Sequence, residues 1–173
     1  YETYVRTLAA RPAVPSFSED RFRIRPNSRY PEKDYDEVLT RRGLWHSAMA
    51  GGVANIWGNL DEDGRSLPYP HPEWFRCYAT FFAERFTSDM APAPSAADGG
   101  VAMRSADGAR RIFYVEDADS LSIDLSSMAG RGAVVVVDAL KAYAETAAGS
   151  LAPGKHMLRF GRVSDWAIAV TVE

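Results

Sequence analysis

The sequence predicts an α/β region followed by an all-β region, and three observations predict this division. In residues 1–90, apolar residues recur at helical spacing on either side of short apolar runs. Residues 91–99 are rich in Pro, Ala and Gly, the composition of a linker. In residues 100–173, short runs of alternating polar and apolar residues are separated by Gly, Asp, Ser or Pro, which is typical of an antiparallel β-sandwich.

The α/β region begins with a helix and a strand. The helix is predicted by four residues at helical spacing, namely Tyr1, Tyr4, Val5 and Leu8. Pro12 ends it, and the apolar segment that follows predicts a short strand ending near Ser18–Glu19.

A second helix, a second strand and a third helix follow. Asp34 has the spacing of an N-cap to Glu37 in a capping box. The apolar stripe predicted for this helix consists of Tyr35, Val38, Leu39, Trp45 and Met49. Gly51-Gly52 ends the helix, and the apolar run VANIWGN predicts a buried parallel strand. Pro72 is placed as the first residue of the third helix. Its predicted buried residues are Trp74, Tyr78, Phe81, Phe82 and Phe86.

Strands that alternate with helices form parallel sheets, and two such strands are too few for a stable sheet. The chain begins with Tyr1 rather than Met. We therefore expect it to be the C-terminal part of a larger protein. The N-terminal part, present as a second chain, is expected to supply the other strands.

Charge and composition argue against several classes of function. Neither half of the chain has an excess of Lys and Arg, so a nucleic-acid partner is not expected. No apolar run approaches the length of a membrane span. Cys77 is the single cysteine, and the three histidines lack metal-ligand spacing. No metal and no cofactor is predicted, and localisation is left open.

Glu19 is the candidate catalytic residue. It stands where the apolar segment gives way to polar chain, and reacting groups of β/α units lie at the carboxyl ends of strands. From this pattern alone a solvated loop residue is the more common outcome, because charged residues are mostly exposed.

Three segments resemble those of glycoside hydrolases. RPAVPSFSEDRF resembles a seventh barrel strand that ends on a nucleophilic glutamate. RRGLWHSAMAGGVANIWGN resembles the next helix and eighth strand of apiosidase-like members. The runs IFYVEDADSLSIDLSSMAG, AVVVVDALKAYAE and DWAIAVTVE resemble their collagen-binding-type β domain. The resemblance implies that residues 1–90 are the last βα units of a TIM-type (β/α)8 barrel and that Glu19 is the nucleophile of a retaining enzyme acting on a polysaccharide or oligosaccharide.

Four further residues are candidates for contacting a sugar. Trp57 can stack on a sugar ring or fill the barrel interior. Asn59 can bind a hydroxyl group, although a turn-forming role is favoured. Arg21 and Arg23 can pair with Glu19 or with an acidic sugar, although salt bridges to nearby acidic residues are favoured. The alternative function is a non-catalytic protein that binds carbohydrate or matrix.

Overall fold

The computed structural model describes residues 1–24, 36–59 and 65–173, with backbone alone for residues 18–24, 54 and 56–59. The chain divides into two compact units, Tyr1–Phe75 and Arg76–Glu173.

The first unit contains two helices, two strands and the start of a third helix. Its elements are α1 (Glu2–Ala9), β1 (Phe17–Ile24), α2 (Glu37–Met49), β2 (Ala54–Asn59) and the first residues of α3 (Pro72–Ala83). The two strands pair in parallel, with Phe17 opposite Ala54 and Ile24 opposite Asn59. Since parallel strands require a crossover connection, the position of α2 between them follows from the pairing.

Helix α1 has the amphipathic stripe that its sequence predicts. The four apolar residues of that stripe are half-buried, while most of their neighbours are exposed. The helix ends at Ala9, ahead of Pro12, which has no N–H to continue the helical hydrogen bonds, and the N–H of Ala10 donates to the carbonyl of Arg6.

Helix α2 corrects two predictions. Its N-cap is Asp36, whose side chain accepts a hydrogen bond from the backbone N–H of Leu39 at 2.7 Å. The predicted cap, Asp34, lies outside the described residues. Val38 and Leu39 are exposed rather than buried, because the covered face of the helix begins only at Thr40. The predicted end is confirmed, since Gly51 follows the helix with a φ of 96° that favours glycine.

Helix α3 begins at Pro72, as predicted, and ends at Ala83. Pro is well accommodated at a first helical position because no helical partner awaits its missing N–H. The buried residues of α3 are Trp74, Phe75, Cys77, Phe81 and Phe82. Tyr78 and Phe86 are half-buried, and Phe86 lies beyond the end of the helix.

The second unit is built on one antiparallel sheet of seven strands. They are β3 (Ala91–Pro92), β4 (Ala97–Asp98), β5 (Val101–Arg104), β6 (Arg110–Asp124), β7 (Gly132–Asp138), β8 (Thr146–Leu151) and β9 (Lys155–Val172). Six of them lie in the order β3-β5-β6-β9-β7-β8, and β4 also pairs with β6. Residues 100–173, all of which are described, contain no helix.

All seven strands belong to one hydrogen-bonded antiparallel sheet, and four of the predicted short strands are parts of two long ones. RRIFYVED and SLSIDLS both belong to β6, and HMLRF and WAIAVTV both belong to β9. The pairing of β6 with β9 is irregular between Val115 and Ser120. Such bulges bend a strand without ending it, so the sequence shows a break where the structure has a bend.

Buried Asp165 stabilises this bend. One of its carboxylate oxygens accepts a hydrogen bond from the backbone N–H of Asp117 at 2.9 Å, and the other accepts one from the hydroxyl of Tyr114 at 3.3 Å. Asp117 has a φ of 49°, a left-handed conformation that Asp tolerates better than most residues. Next to it, the indole N–H of Trp166 donates to the carbonyl of Ala118.

The core of the second unit includes residues from both sides of the bend in β6, together with residues of β5, β7 and β9. Its members include Phe113, Leu121, Ile123, Val134, Trp166, Ile168 and Val170.

Residues 91–99, predicted as a linker, contain β3 and β4, which pair with β5 and β6. Short edge strands tolerate Pro, which explains why a composition typical of linkers is found within the sheet.

Candidate functional site

Glu19 lies within β1 rather than at its end, because the strand continues to Ile24. The prediction that the strand ends at Ser18–Glu19 is therefore wrong. However, the pairing with β2 is interrupted at this point. Ser18 lies opposite Asn55 and Phe22 lies opposite Trp57, so three residues of β1 face a single residue of β2.

This interruption, residues 19–21, defines the candidate site. A bulge leaves residues out of the strand ladder, and bulges are frequent next to active sites, where they redirect a side chain. The change from regular apolar strand to irregular polar chain that the sequence indicates at Glu19 therefore corresponds to a structural feature. It is an irregularity of pairing instead of a strand end.

The pairing of β1 with β2 places the backbone of the other candidate residues near the interrupted segment. Arg21 belongs to the interrupted segment, and Arg23 pairs with Gly58. Trp57 is the first residue of β2 to pair after the interruption, and Asn59 is the last residue of that strand. All of these residues thus lie on two adjacent strands, about 4.8 Å apart.

A second polar group in the same unit was missed by sequence reasoning. His71 lies just before α3, and its two ring nitrogens each face a carboxylate. Nε2 is 3.1 Å from Glu37, the first residue of α2, and Nδ1 is 3.1 Å from Glu73 in α3. The imidazole also stacks on the ring of Trp74, with centroids 4.0 Å apart and an interplanar angle of 16°.

Aromatic and basic groups surround this cluster. The guanidinium carbon of Arg41 lies 4.7 Å from the centroid of the Trp74 ring. The hydroxyl of Tyr69 donates to the backbone carbonyl of Glu37 at 3.4 Å, and its ring packs edge-on against Phe75. Burial raises the pKa of Tyr69 to about 12, so this hydroxyl keeps its proton. The only sequence signal for the cluster is the close spacing of His71, Pro72 and Glu73, since Glu37 is distant in the chain.

In the second unit Arg85, just after α3, makes several polar contacts. Its guanidinium donates to the carboxylate of Glu145 at 2.6 Å, to the hydroxyl of Tyr143 at 3.0 Å and to the carbonyl of Phe81 at 3.2 Å. The Tyr143 hydroxyl in turn donates to Glu145. These bonds join the end of α3 to the segment before β8, which is a structural role.

Two open cavities of about 180 Å³ each lie in the second unit. One is lined by residues of β6 and β9 together with Glu84 and Arg85. The other is lined by β4, β6 and Lys155. No aromatic residue lines either cavity, so neither offers the flat apolar surface on which a sugar ring stacks.

Among residues 1–24, 36–59 and 65–173, no three His, Cys, Asp or Glu side chains are grouped so as to hold a metal ion. No helix in these ranges is both long enough and apolar enough to cross a membrane.

The chain is similar in structure to solved glycoside hydrolases. It superimposes on a protein described as a glycoside hydrolase with a TM-score of 0.72 and 14% identity, covering 99% of this chain and 45% of that one. A glycoside hydrolase family 5 protein from Bacteroides vulgatus gives a TM-score of 0.76 and 16% identity, with 97% and 44% covered. The sequence matches no family model and no curated protein at a significant level. The chain thus shares a fold with less than half the length of these proteins.

Proposed function

We propose that the chain is the C-terminal part of a retaining glycoside hydrolase and supplies its nucleophile, Glu19. The observation that carries the proposal is the interrupted parallel pair, in which Glu19 leaves the strand ladder beside the strand that bears Trp57. The fold likeness to glycoside hydrolases over nearly the whole chain supports it. At the finer level, the sequence segments favour an apiosidase-like enzyme.

The proposed architecture extends this assignment. Residues 1–90 are the last βα units of a (β/α)8 barrel, and the sheet from β3 onward forms a β domain that supports it. The remaining barrel strands belong to an N-terminal stretch of polypeptide, present as a second chain. The parallel pairing of β1 with β2 and the roughly twofold greater length of the similar proteins support an N-terminal stretch that carries further strands.

In the proposed mechanism the carboxylate of Glu19 attacks the anomeric carbon of the sugar and forms a glycosyl ester. The glycosidic bond breaks, and a second carboxyl group on the N-terminal stretch protonates the leaving oxygen. Water then hydrolyses the ester, with that second carboxylate accepting its proton. The retaining route requires the two carboxyl groups to be about 5–5.5 Å apart.

The other candidate residues have supporting roles in this proposal. The indole of Trp57 forms a wall on which the apolar face of the sugar ring stacks. Arg21 and Arg23 hold Glu19 ionised, because a neighbouring positive charge favours the charged form of a carboxyl group. Asn59 at the end of β2 donates to a sugar hydroxyl.

The test compares Glu19→Gln with Asp20→Asn in the complete protein. Each change removes one negative charge from the interrupted segment, but only the first removes the nucleophile. With activated aryl glycosides, Glu19→Gln should lower kcat by about a thousandfold or more, the scale seen when a nucleophile is removed. Asp20→Asn should retain most activity, and the melting temperature should change little in both.

A second measurement identifies the nucleophile directly. A 2-deoxy-2-fluoro glycoside slows hydrolysis of the glycosyl ester, so mass spectrometry of the digested protein should find the label on Glu19. Label on another residue, or near-normal activity of Glu19→Gln, would refute the assignment. Saccharide binding without turnover in the unaltered protein would instead favour a non-catalytic carbohydrate-binding role.

A further inference from the structure

Exposed apolar side chains are concentrated in the first unit. Among the described residues, eight large hydrophobic side chains are exposed, and six of them belong to Tyr1–Phe75. The second unit, which is the longer one, has two, Met157 and Val163. Single exposed apolar residues are ordinary, but a concentration of them marks a surface that another part of a protein covers. The first unit therefore presents a surface that needs a cover.

Three of these six residues lie where the parallel pair begins. Phe17 is the first residue of β1 and is 53% exposed, and Val53, directly ahead of β2, is 59% exposed. The backbone N–H of Val53 donates to the carbonyl of Ser16 at 2.9 Å, so the pairing of the two strands extends to this residue. Val14, two residues ahead of Ser16, is also 53% exposed. Val14, Phe17 and Val53 together form the amino-end patch.

The amino-end patch lies on both faces of the strand pair. Phe17 is paired with Ala54, and Val53 precedes Ala54 by one residue. Successive side chains of a strand alternate between its two faces, so Phe17 and Val53 belong to opposite faces. Helix α2 packs on both strands, yet both residues stay more than half exposed. Parallel sheets are normally covered on both faces, and the described residues leave both faces open at this end.

We propose that the amino-end patch is the interface for an apolar part of the N-terminal stretch, which passes around the beginning of the strand pair and covers both faces. The inference rests on the proposed architecture, and it adds which surface of this chain the stretch contacts and with what kind of side chain. The similar glycoside hydrolases match nearly all of this chain with less than half of their own length. A stretch long enough to reach both faces is therefore part of that architecture.

The position of the patch on two faces favours this occupant over a second copy of the chain. A symmetric contact between two copies buries the same patch of each copy against the other. One such contact covers one face of a sheet and leaves the opposite face in solvent. A chain segment that crosses the beginning of the strands covers Phe17 on one face and Val53 on the other.

A cover at the amino-end patch is compatible with the candidate site. Residues 19–21 and Asn59 lie farther along the same strands, toward their carboxyl ends. Reacting groups of β/α barrels lie at the carboxyl ends of the strands, whereas the amino ends contribute stability. The proposed contact therefore holds the strand pair in place without closing the site.

Thiol labelling of the complete protein measures the cover directly. Val14→Cys and Val53→Cys place a thiol in the patch, and Val163→Cys is the matched control, because Val163 is 64% exposed in the second unit. Cysteine is a small, largely apolar side chain, so the exchange disturbs the fold little, and the native Cys77 is buried. A maleimide should react with both patch thiols at least about a hundredfold more slowly than with the control, because it must wait for the interface to open.

Cross-linking identifies what covers the patch. p-Benzoylphenylalanine in place of Phe17 keeps an aromatic ring at this position, and mass spectrometry of the digested protein should find it joined to residues of the N-terminal stretch. Cross-links to a second copy of this chain overturn the proposal, and so do patch thiols that react as fast as the control.

Neither measurement uses turnover, so failure of the interface and failure of the proposed function are distinguishable. If the patch thiols react as fast as the control while Glu19→Gln abolishes turnover, the interface is wrong and the nucleophile assignment stands. If the patch is protected and cross-linked to the N-terminal stretch while Glu19→Gln stays active, the interface stands and the nucleophile assignment is wrong.

Discussion

Glu145→Gln tests whether the contacts of Arg85 hold the end of α3 in place. The change keeps the size of the side chain and an oxygen acceptor but removes the negative charge that lies 2.6 Å from the guanidinium. Arg85 then retains the neutral Tyr143 hydroxyl and the carbonyl of Phe81 as its partners. A largely buried cation without a carboxylate is less stable, so the melting temperature should fall.

The magnitude follows from the exposure of the two partners. Two unit charges 4 Å apart attract each other by about 4 kcal/mol at an effective dielectric constant of 20. The Glu145 side chain is 39% exposed, so screening by water reduces the net value to the surface range of about 0.2–1 kcal/mol. The Arg85 side chain is only 14% exposed, which places the pair near the upper end. We expect a loss of about 1 kcal/mol, or about 2–4 °C in melting temperature for a chain of this size.

The pH dependence gives the result that would refute this reasoning. Hydrogen bonding from Tyr143 and then from Arg85 lowers the pKa of Glu145 below its ordinary value. The pair therefore stabilises the fold above the ordinary glutamate pKa of about 4.3, and the stabilisation disappears as pH falls through the lowered value. Calorimetry should find the melting-temperature loss of Glu145→Gln at about pH 7 but not at about pH 2. An equal loss at both pH values, or none at neutral pH, contradicts the account.

Three further predictions test other parts of the structure. Asp36→Ala should destabilise the protein by about 1 kcal/mol in urea unfolding because α2 loses its N-cap, whereas Asp36→Asn keeps the acceptor and should recover most of the loss. Gly132→Ala should cost about 1–3 kcal/mol, because a Cβ there would lie 2.6 Å from a methyl group of buried Val170. Gly130→Ala, whose Cβ meets its nearest neighbour at 3.4 Å, should be nearly neutral, and equal effects of the two would contradict this packing. Burial raises the pKa of Cys77 to about 12, so a thiol reagent should label it only as fast as the protein opens, and rapid labelling of the native state would refute its burial.

Helix and strand order was predictable in the first unit because each element carries its own local signal. The stripe of α1, the Pro at the start of α3 and the glycine after α2 each act within a few residues. The N-cap of α2 was misplaced by two residues because Asp34 and Asp36 carry the same side chain, and the choice between them depends on where the helix begins to pack. Strand boundaries in the second unit were missed for a related reason, since a bulge and a strand end have similar sequences.

The candidate site was predictable only in part. The polar change at Glu19 indicates a special position, but the interruption of pairing depends on the register of β2, which is distant in sequence. The His71 cluster was missed because Glu37 and His71 are more than thirty residues apart and meet only when two helix starts converge. Sequence patterns detect residues that are unusual among their neighbours, and they do not detect ordinary charged residues that the fold brings together.

The boundary between the two compact units falls inside α3, between Phe75 and Arg76. The β domain is therefore not a module that can be excised at the Pro- and Ala-rich residues 91–99, whose strands belong to its sheet. A graft of this domain into another protein would have to begin no later than Arg76, so that Cys77 and Phe81 are retained. Domain shuffling in evolution faces the same constraint. Recombination within residues 91–99, where the composition resembles a linker, would separate the sheet from the part of α3 that belongs to the same unit.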